Sequence, residues 1–100
     1  MPNRGVEFHE AAAADYDAAF AWYLQHSADA ARRFSAEVER ALGQILQAPQ
    51  RWAAGPFHTR RFLLSRFPFT LIYRERASGE IQVLAVAHTS RKPGYWKQRM

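Results

Sequence analysis

Two apolar runs separated by a short polar turn constrain this chain more than any other feature. Phe69, Leu71 and Tyr73 alternate with Thr70, Ile72 and Arg74, and after Ala77-Ser78-Gly79 the run from Ile81 to Ala87 is apolar on both faces. A period of two is the repeat of a half-buried strand, and an apolar run without alternation marks a strand covered on both sides. A hairpin whose second strand is central in a sheet is therefore expected. Arg60 to Leu64, ahead of a turn near Ser65 to Pro68, reads as a third strand, and the three pair as an antiparallel meander.

The upstream half supplies the layer that such a sheet needs. Val6 and Phe8 alternate with Glu7 and His9, which predicts a short first strand that adds at a sheet edge. From Glu10 the run AAAADYDAAFAWYLQ is rich in the best helix former, with Glu10, Asp15 and Asp17 near the positive end of the helix dipole. Tyr16, Phe20, Tyr23 and Leu24 form its apolar stripe. Ser27 is a cap for a second helix, in which Phe34, Val38, Leu42 and Ile45 recur at helical spacing until Pro49. The short joint predicts an antiparallel helical hairpin lying on one face of the sheet. Between the halves, Pro49 to His58 reads as an irregular connection in which Trp52 and Phe57 pin the loop to the core. The expected fold is α+β, in the order β-α-α-β-β-β with a short basic C-terminal tail.

At 100 residues, 48% hydrophobic and 14% aromatic, one domain spanning residues 1–100 can bury a core without a metal or a disulfide. Cysteine is absent, which excludes disulfides and thiolate zinc sites and leaves the chemistry to His, Tyr, Arg, Lys or carboxylates; no metal or other cofactor is expected. No apolar run suits a signal peptide or a membrane span, and the expected location is the cytoplasm. Charge is divided unevenly. Residues 1–50 hold four arginines against seven carboxylates, a net of −3, whereas residues 51–100 hold ten cations against Glu75 and Glu80, a net of +8. Such a basic half favours a polyanion or an acidic protein as partner.

The segments Arg61-Phe62, Phe67-Pro68-Phe69-Thr70-Leu71-Ile72-Tyr73-Arg74, Ile81 to Ala87, and His88-Thr89-Ser90-Arg91-Lys92-Pro93-Gly94-Tyr95-Trp96 resemble toxins of the RelE/ParE superfamily of bacterial type II toxin–antitoxin systems. The resemblance covers nearly the whole chain. It implies a growth inhibitor held inactive by a cognate acidic antitoxin. It also implies one of two targets: DNA gyrase for ParE-like members, or ribosome-bound mRNA, cleaved by RelE-like members.

Cleavage of RNA needs a base for the 2′-hydroxyl, an acid for the leaving oxygen, and cations at the phosphate. The lysines that some RelE-like enzymes carry on the second strand are missing here, since Lys92 and Lys97 both lie beyond the last strand. The mid-chain glutamate of others is missing too, because no carboxylate lies between Ala48 and Arg74. If the chain were a ribonuclease, His88, Arg91 and Tyr95 would be the catalytic candidates. Arg61, Arg74, Arg91, Lys92 and Trp96 are the candidates for binding target or antitoxin. His88 also reads as a hydrogen-bonded structural residue, Arg61 and Arg74 as charges that keep the sheet soluble, and Tyr95 and Trp96 as anchors of the tail. With the usual bases absent, ParE-like action on gyrase is the expectation, the ribonuclease is the alternative, and a non-toxic nucleic-acid-binding module is a third reading.

Overall fold

The computed structural model describes residues 5–100. In chain order they form β1 (Val6–Phe8), α1 (Glu10–His26), α2 (Ala28–Gln47), β2 (Ala53–Ala54), β3 (Arg60–Leu63), β4 (Phe69–Glu75) and β5 (Ile81–His88), with a final 3₁₀ turn at Tyr95–Arg99. The sheet order is β1-β5-β4-β3-β2. β3, β4 and β5 make the antiparallel meander that the alternation predicts, and β1 lies at an edge, parallel to β5, with Val6 opposite Ile81 and Phe8 opposite Val83. The sheet has five strands because Ala53 and Ala54 pair with Arg61 and Arg60. Two alanines carry neither strand propensity nor a readable period, so the sequence showed only a connection there.

The helical hairpin turns on one residue. Ser27 donates its amide to Tyr23 O, ending α1 at 2.8 Å, and its hydroxyl accepts from Ala30 N at 3.1 Å, starting α2. His9 caps α1 through Nδ1, which accepts from Ala11 N at 3.0 Å. Along α2, Phe34, Val38, Leu42 and Ile45 are all buried, as their spacing requires. On α1 the fully packed positions are Ala12 and Ala19, small enough to let the helix approach the sheet. Tyr16, Phe20 and Tyr23 pack beside them, but Leu24 is 51% exposed. Eight residues on from Tyr16 the helix has turned about 80° past the stripe, which puts Leu24 on the water side.

Phe34 is the centre of the core. Its ring lies 5.5 Å from Tyr16, 5.2 Å from Tyr23, 5.5 Å from Phe67 and 5.4 Å from Phe69, so one side chain of α2 joins α1, β4 and the turn before β4. Tyr73 is equally buried and donates its hydroxyl to Pro49 O at 2.6 Å, fastening the loop after α2; burial pushes its phenol up to about 12. A bulge in β5 decides what faces what. Ile72 is opposite Ala85 while Tyr73 is opposite Val83, leaving Leu84 as the extra residue. Ile81, Val83 and Val86 therefore face the helices, and Leu84 and Ala85 both join Ile72 and Trp96 on the other face.

Beyond the end of β3, a carboxylate from the helical layer takes over the work of a strand. Glu37 of α2 accepts from Ser65 N at 2.7 Å while Arg40 donates to both of its oxygens, at 2.9 and 2.7 Å. The Arg40 hydrogen bond leads in holding the Glu37 carboxyl below its ordinary value, with Ser65 N–H adding to it against the opposing effect of burial.

Phe34→Ala is expected to cost about 3–5 kcal/mol, read from urea unfolding; Leu24→Ala, on the exposed flank, should change stability by less than about 0.5 kcal/mol. Because folding lowers the Glu37 pKa, its contribution is fully present above the unfolded value and is lost as pH falls through the lower folded value. Melting temperature followed downward from neutral into the acid range should accordingly fall less steeply in Glu37→Gln than in the wild type.

Candidate functional site

A cleft of about 310 Å³ opens on the sheet face away from the helices, between the strands and the C-terminal segment. Arg61, Thr70, Ile72, Ala87 and His88 come from the sheet, Arg91, Lys92, Tyr95, Trp96 and Lys97 from the segment after it, and Gly55, Pro56 and Thr59 from the link between β2 and β3. Six of the seven sequence candidates thus meet in one place. Arg74 does not: its Nε donates to Gln82 Oε1 at 3.0 Å farther along the sheet. Four cations line the cleft and, among the described residues, no carboxylate does. The described residues hold no group of three or more His, Asp or Glu placed to ligate a metal.

The C-terminal segment is built in, not a free tail. Gly94 takes φ +79°, a backbone conformation strained for any residue with a Cβ, so the turn into Tyr95–Arg99 favours glycine. Trp96 is only 6% exposed and packs against Ile72, Leu84 and Ala85, which makes it the floor of the cleft. At the far end, Arg99 pairs with Asp15 of α1 at 2.6 Å and donates to Leu84 O at 2.9 Å, while Asp15 accepts from Val86 N at 3.1 Å. β1 ends at Phe8, opposite Val83, so the edge of β5 beyond it has no neighbouring strand; Asp15 and Arg99 satisfy it instead. Tyr95 donates to Asp15 at 3.3 Å, and Arg91 and Arg99 lie over its ring at 3.9 and 5.0 Å.

Neither Asp15 nor Arg99 was singled out from sequence. Asp15 read as a helix-dipole charge, yet α1 begins at Glu10, so position 15 lies past the first turn where that effect acts. Its spacing, three after Ala12 and four before Ala19, puts it on the buried stripe and was the available signal. Arg99 carried none. Phe57 departs from expectation as well: Trp52 packs on Phe62 at 4.6 Å, but Phe57 is 57% exposed at the rim of the cleft, its ring 5.4 Å from Lys97 Nζ.

The chemistry available to the candidates is narrow. His88 Nδ1 accepts from Ser90 N at 3.0 Å and sits 2.7 Å from the Ser90 hydroxyl, so that ring nitrogen is engaged by the adjoining turn. Tyr95 is held as a phenol, its pKa raised first by burial and then by Asp15. Cations to meet an anion are plentiful, and a free base is not.

Residues 6–93 match the family described as the ParE toxin of type II toxin–antitoxin systems, parDE, and the chain belongs to that family. A solved structure described as the chromosomal ParDE TA system from P. aeruginosa superposes with a TM-score of 0.72 at 24% identity, covering 85% of this chain and 95% of that one, a likeness in fold. No curated protein matches the chain with comparable significance. Membership in a toxin–antitoxin family implies an antitoxin partner. No helix of the described residues is long and apolar enough to cross a membrane.

Arg99→Ala would leave Asp15 without its countercharge and Leu84 O without that donor. Both side chains retain slight exposure, 16% and 15%, so the expected loss is about 2–4 kcal/mol, toward the lower part of the range for breaking a buried pair. Asp15→Asn keeps an acceptor for Val86 N and should cost less, as read from urea midpoints of the two variants.

Proposed function

We propose that this toxin arrests growth by binding DNA gyrase, with the basic cleft as its working surface. The observation that carries the reading is the engagement of His88: its Nδ1 accepts from Ser90 N and lies against the Ser90 hydroxyl, so that nitrogen is poorly placed to act as the base that RNA cleavage needs. Tyr95 is engaged with Asp15 and Arg91, and the lining holds no glutamate or aspartate to replace either. What remains is a surface of Arg61, Arg91, Lys92 and Lys97 around an apolar floor, suited to an acidic protein surface.

Neutralisation follows from the same charges. A second groove, on the helix side, is lined by Ala18, Trp22, Tyr23, Phe69, Val86 and the Arg99-paired Asp15, and shares His88, Arg91 and Tyr95 with the cleft. An acidic antitoxin segment laid in this groove would engage Arg91 from behind and compete for the wall that the target needs, with Arg61 and Arg74 available where the antitoxin crosses the sheet.

His88→Ala is expected to retain most growth arrest, and purified toxin is expected to inhibit gyrase supercoiling while translation initially continues. Prompt cleavage of ribosome-bound mRNA, abolished by His88→Ala in a folded protein, would instead establish the ribonuclease.

A further inference from the structure

The link between β2 and β3 holds two of the three non-glycine residues with positive φ among the described residues, the third being Arg66. Phe57 and His58, neither of them glycine, take φ +60° and +61° in succession. Hydrogen bonds impose the conformation. The Thr59 hydroxyl and amide donate to Pro56 O at 2.6 and 3.2 Å, and Gly55 N donates to Thr59 O at 2.8 Å. Thr59 is buried, so the scaffold under the turn is fixed, yet what it displays is an unpacked phenyl ring. A turn that only joined two strands would relax with glycine at position 57 and would have no use for an apolar ring in water. Strain of this kind persists where the surroundings over-determine it and is concentrated at functional segments.

Gly55, Pro56 and Thr59 line the basic cleft, and the Phe57 ring, which lines the adjoining pocket with Tyr73 and Glu75, reaches the cleft's edge 5.4 Å from Lys97 Nζ. We propose that Phe57 is the anchor by which the toxin grips a protein target: the ring enters an apolar pocket, and Lys97, Arg61, Arg91 and Lys92 meet carboxylates around that pocket. Buried aromatic anchors flanked by arginine carry most of the affinity at protein interfaces, and charge complementarity around them sets orientation. A nucleic-acid strand fits less well. Binding of that kind stacks successive bases on several rings, whereas Tyr95 is covered by Arg91 and Arg99 and Trp96 is buried as the floor. The inference rests on the reading that the chain acts by binding a protein.

The test compares wild type, Phe57→Ala and Phe57→Gly for melting temperature, inhibition of gyrase supercoiling, growth arrest on induction, and affinity for a short labelled single-stranded oligonucleotide. Expected is a loss of about 30-fold or more in inhibition for both variants, with Phe57→Gly holding or raising the melting temperature because glycine removes the backbone strain. Undiminished inhibition by Phe57→Ala overturns the anchor and leaves the gyrase reading standing. If the wild type arrests growth without touching gyrase, that target is wrong, and the anchor is judged on arrest: lost in Phe57→Ala it stands, unchanged it falls. If the wild type arrests nothing, reading and anchor fall together. A loss of oligonucleotide affinity that matches the loss of activity makes the partner a nucleic acid and overturns the proposal.

Discussion

The ion pair between Asp15 and Arg99 ties together parts of the chain that are 84 residues apart. Asp15 reaches from α1 to the Val86 amide, Arg99 reaches from the C-terminal turn to the Leu84 carbonyl, and the two meet where the edge of β5 has no neighbouring strand. Without them those backbone groups would be left unsatisfied beside a packed helix. The same contact sets the height of Tyr95 and Trp96 over the sheet, and so the shape of the cleft. Glu37 does the corresponding work after β3, where its carboxylate holds the Ser65 amide. In this small sheet, helix carboxylates stand in for strands that a larger protein would supply.

That use of the acidic half explains how the basic half stays open. Two carboxylates are drawn into the fold, and each brings its own arginine, Arg99 or Arg40. The cations of the cleft are left without local countercharges, poised for charges on a partner. Arg91 is the exception in being held, through its stack on Tyr95, at the wall between the cleft and the helix-side groove. A residue shared by two surfaces suits a toxin whose activity must be both delivered and restrained.

Much of the fold was legible because it depends on local periodicity. The alternation in Phe69–Arg74, the largely apolar run from Ile81 and the helical spacing from Phe34 to Ile45 each name an element and its buried face. The bulge at Leu84 was not legible, since a run that is apolar on both faces looks the same with or without an inserted residue. Yet that residue turns Leu84 and Ala85 to the face on which Trp96 packs. For the site, the candidates after the last strand were named from the family resemblance together with residue type, and the separate position of Arg74 was not legible, because its partner Gln82 is reached only across the hairpin.

The sequence by itself determined the helical hairpin, the antiparallel meander, the separation of charge and the shortage of general bases, because propensity, period and composition are properties of neighbours in the chain. Tertiary structure alone decided that Asp15 would meet Arg99, that Trp96 would be buried as the floor of the cleft, that Ser90 would engage His88 Nδ1, and that Phe57 would stand exposed in a left-handed turn. Most of these depend on which distant groups desolvate or hydrogen-bond one another, and even the short-range ones are settled by backbone geometry that the surrounding contacts impose. Such energies exist only after the chain has closed on itself.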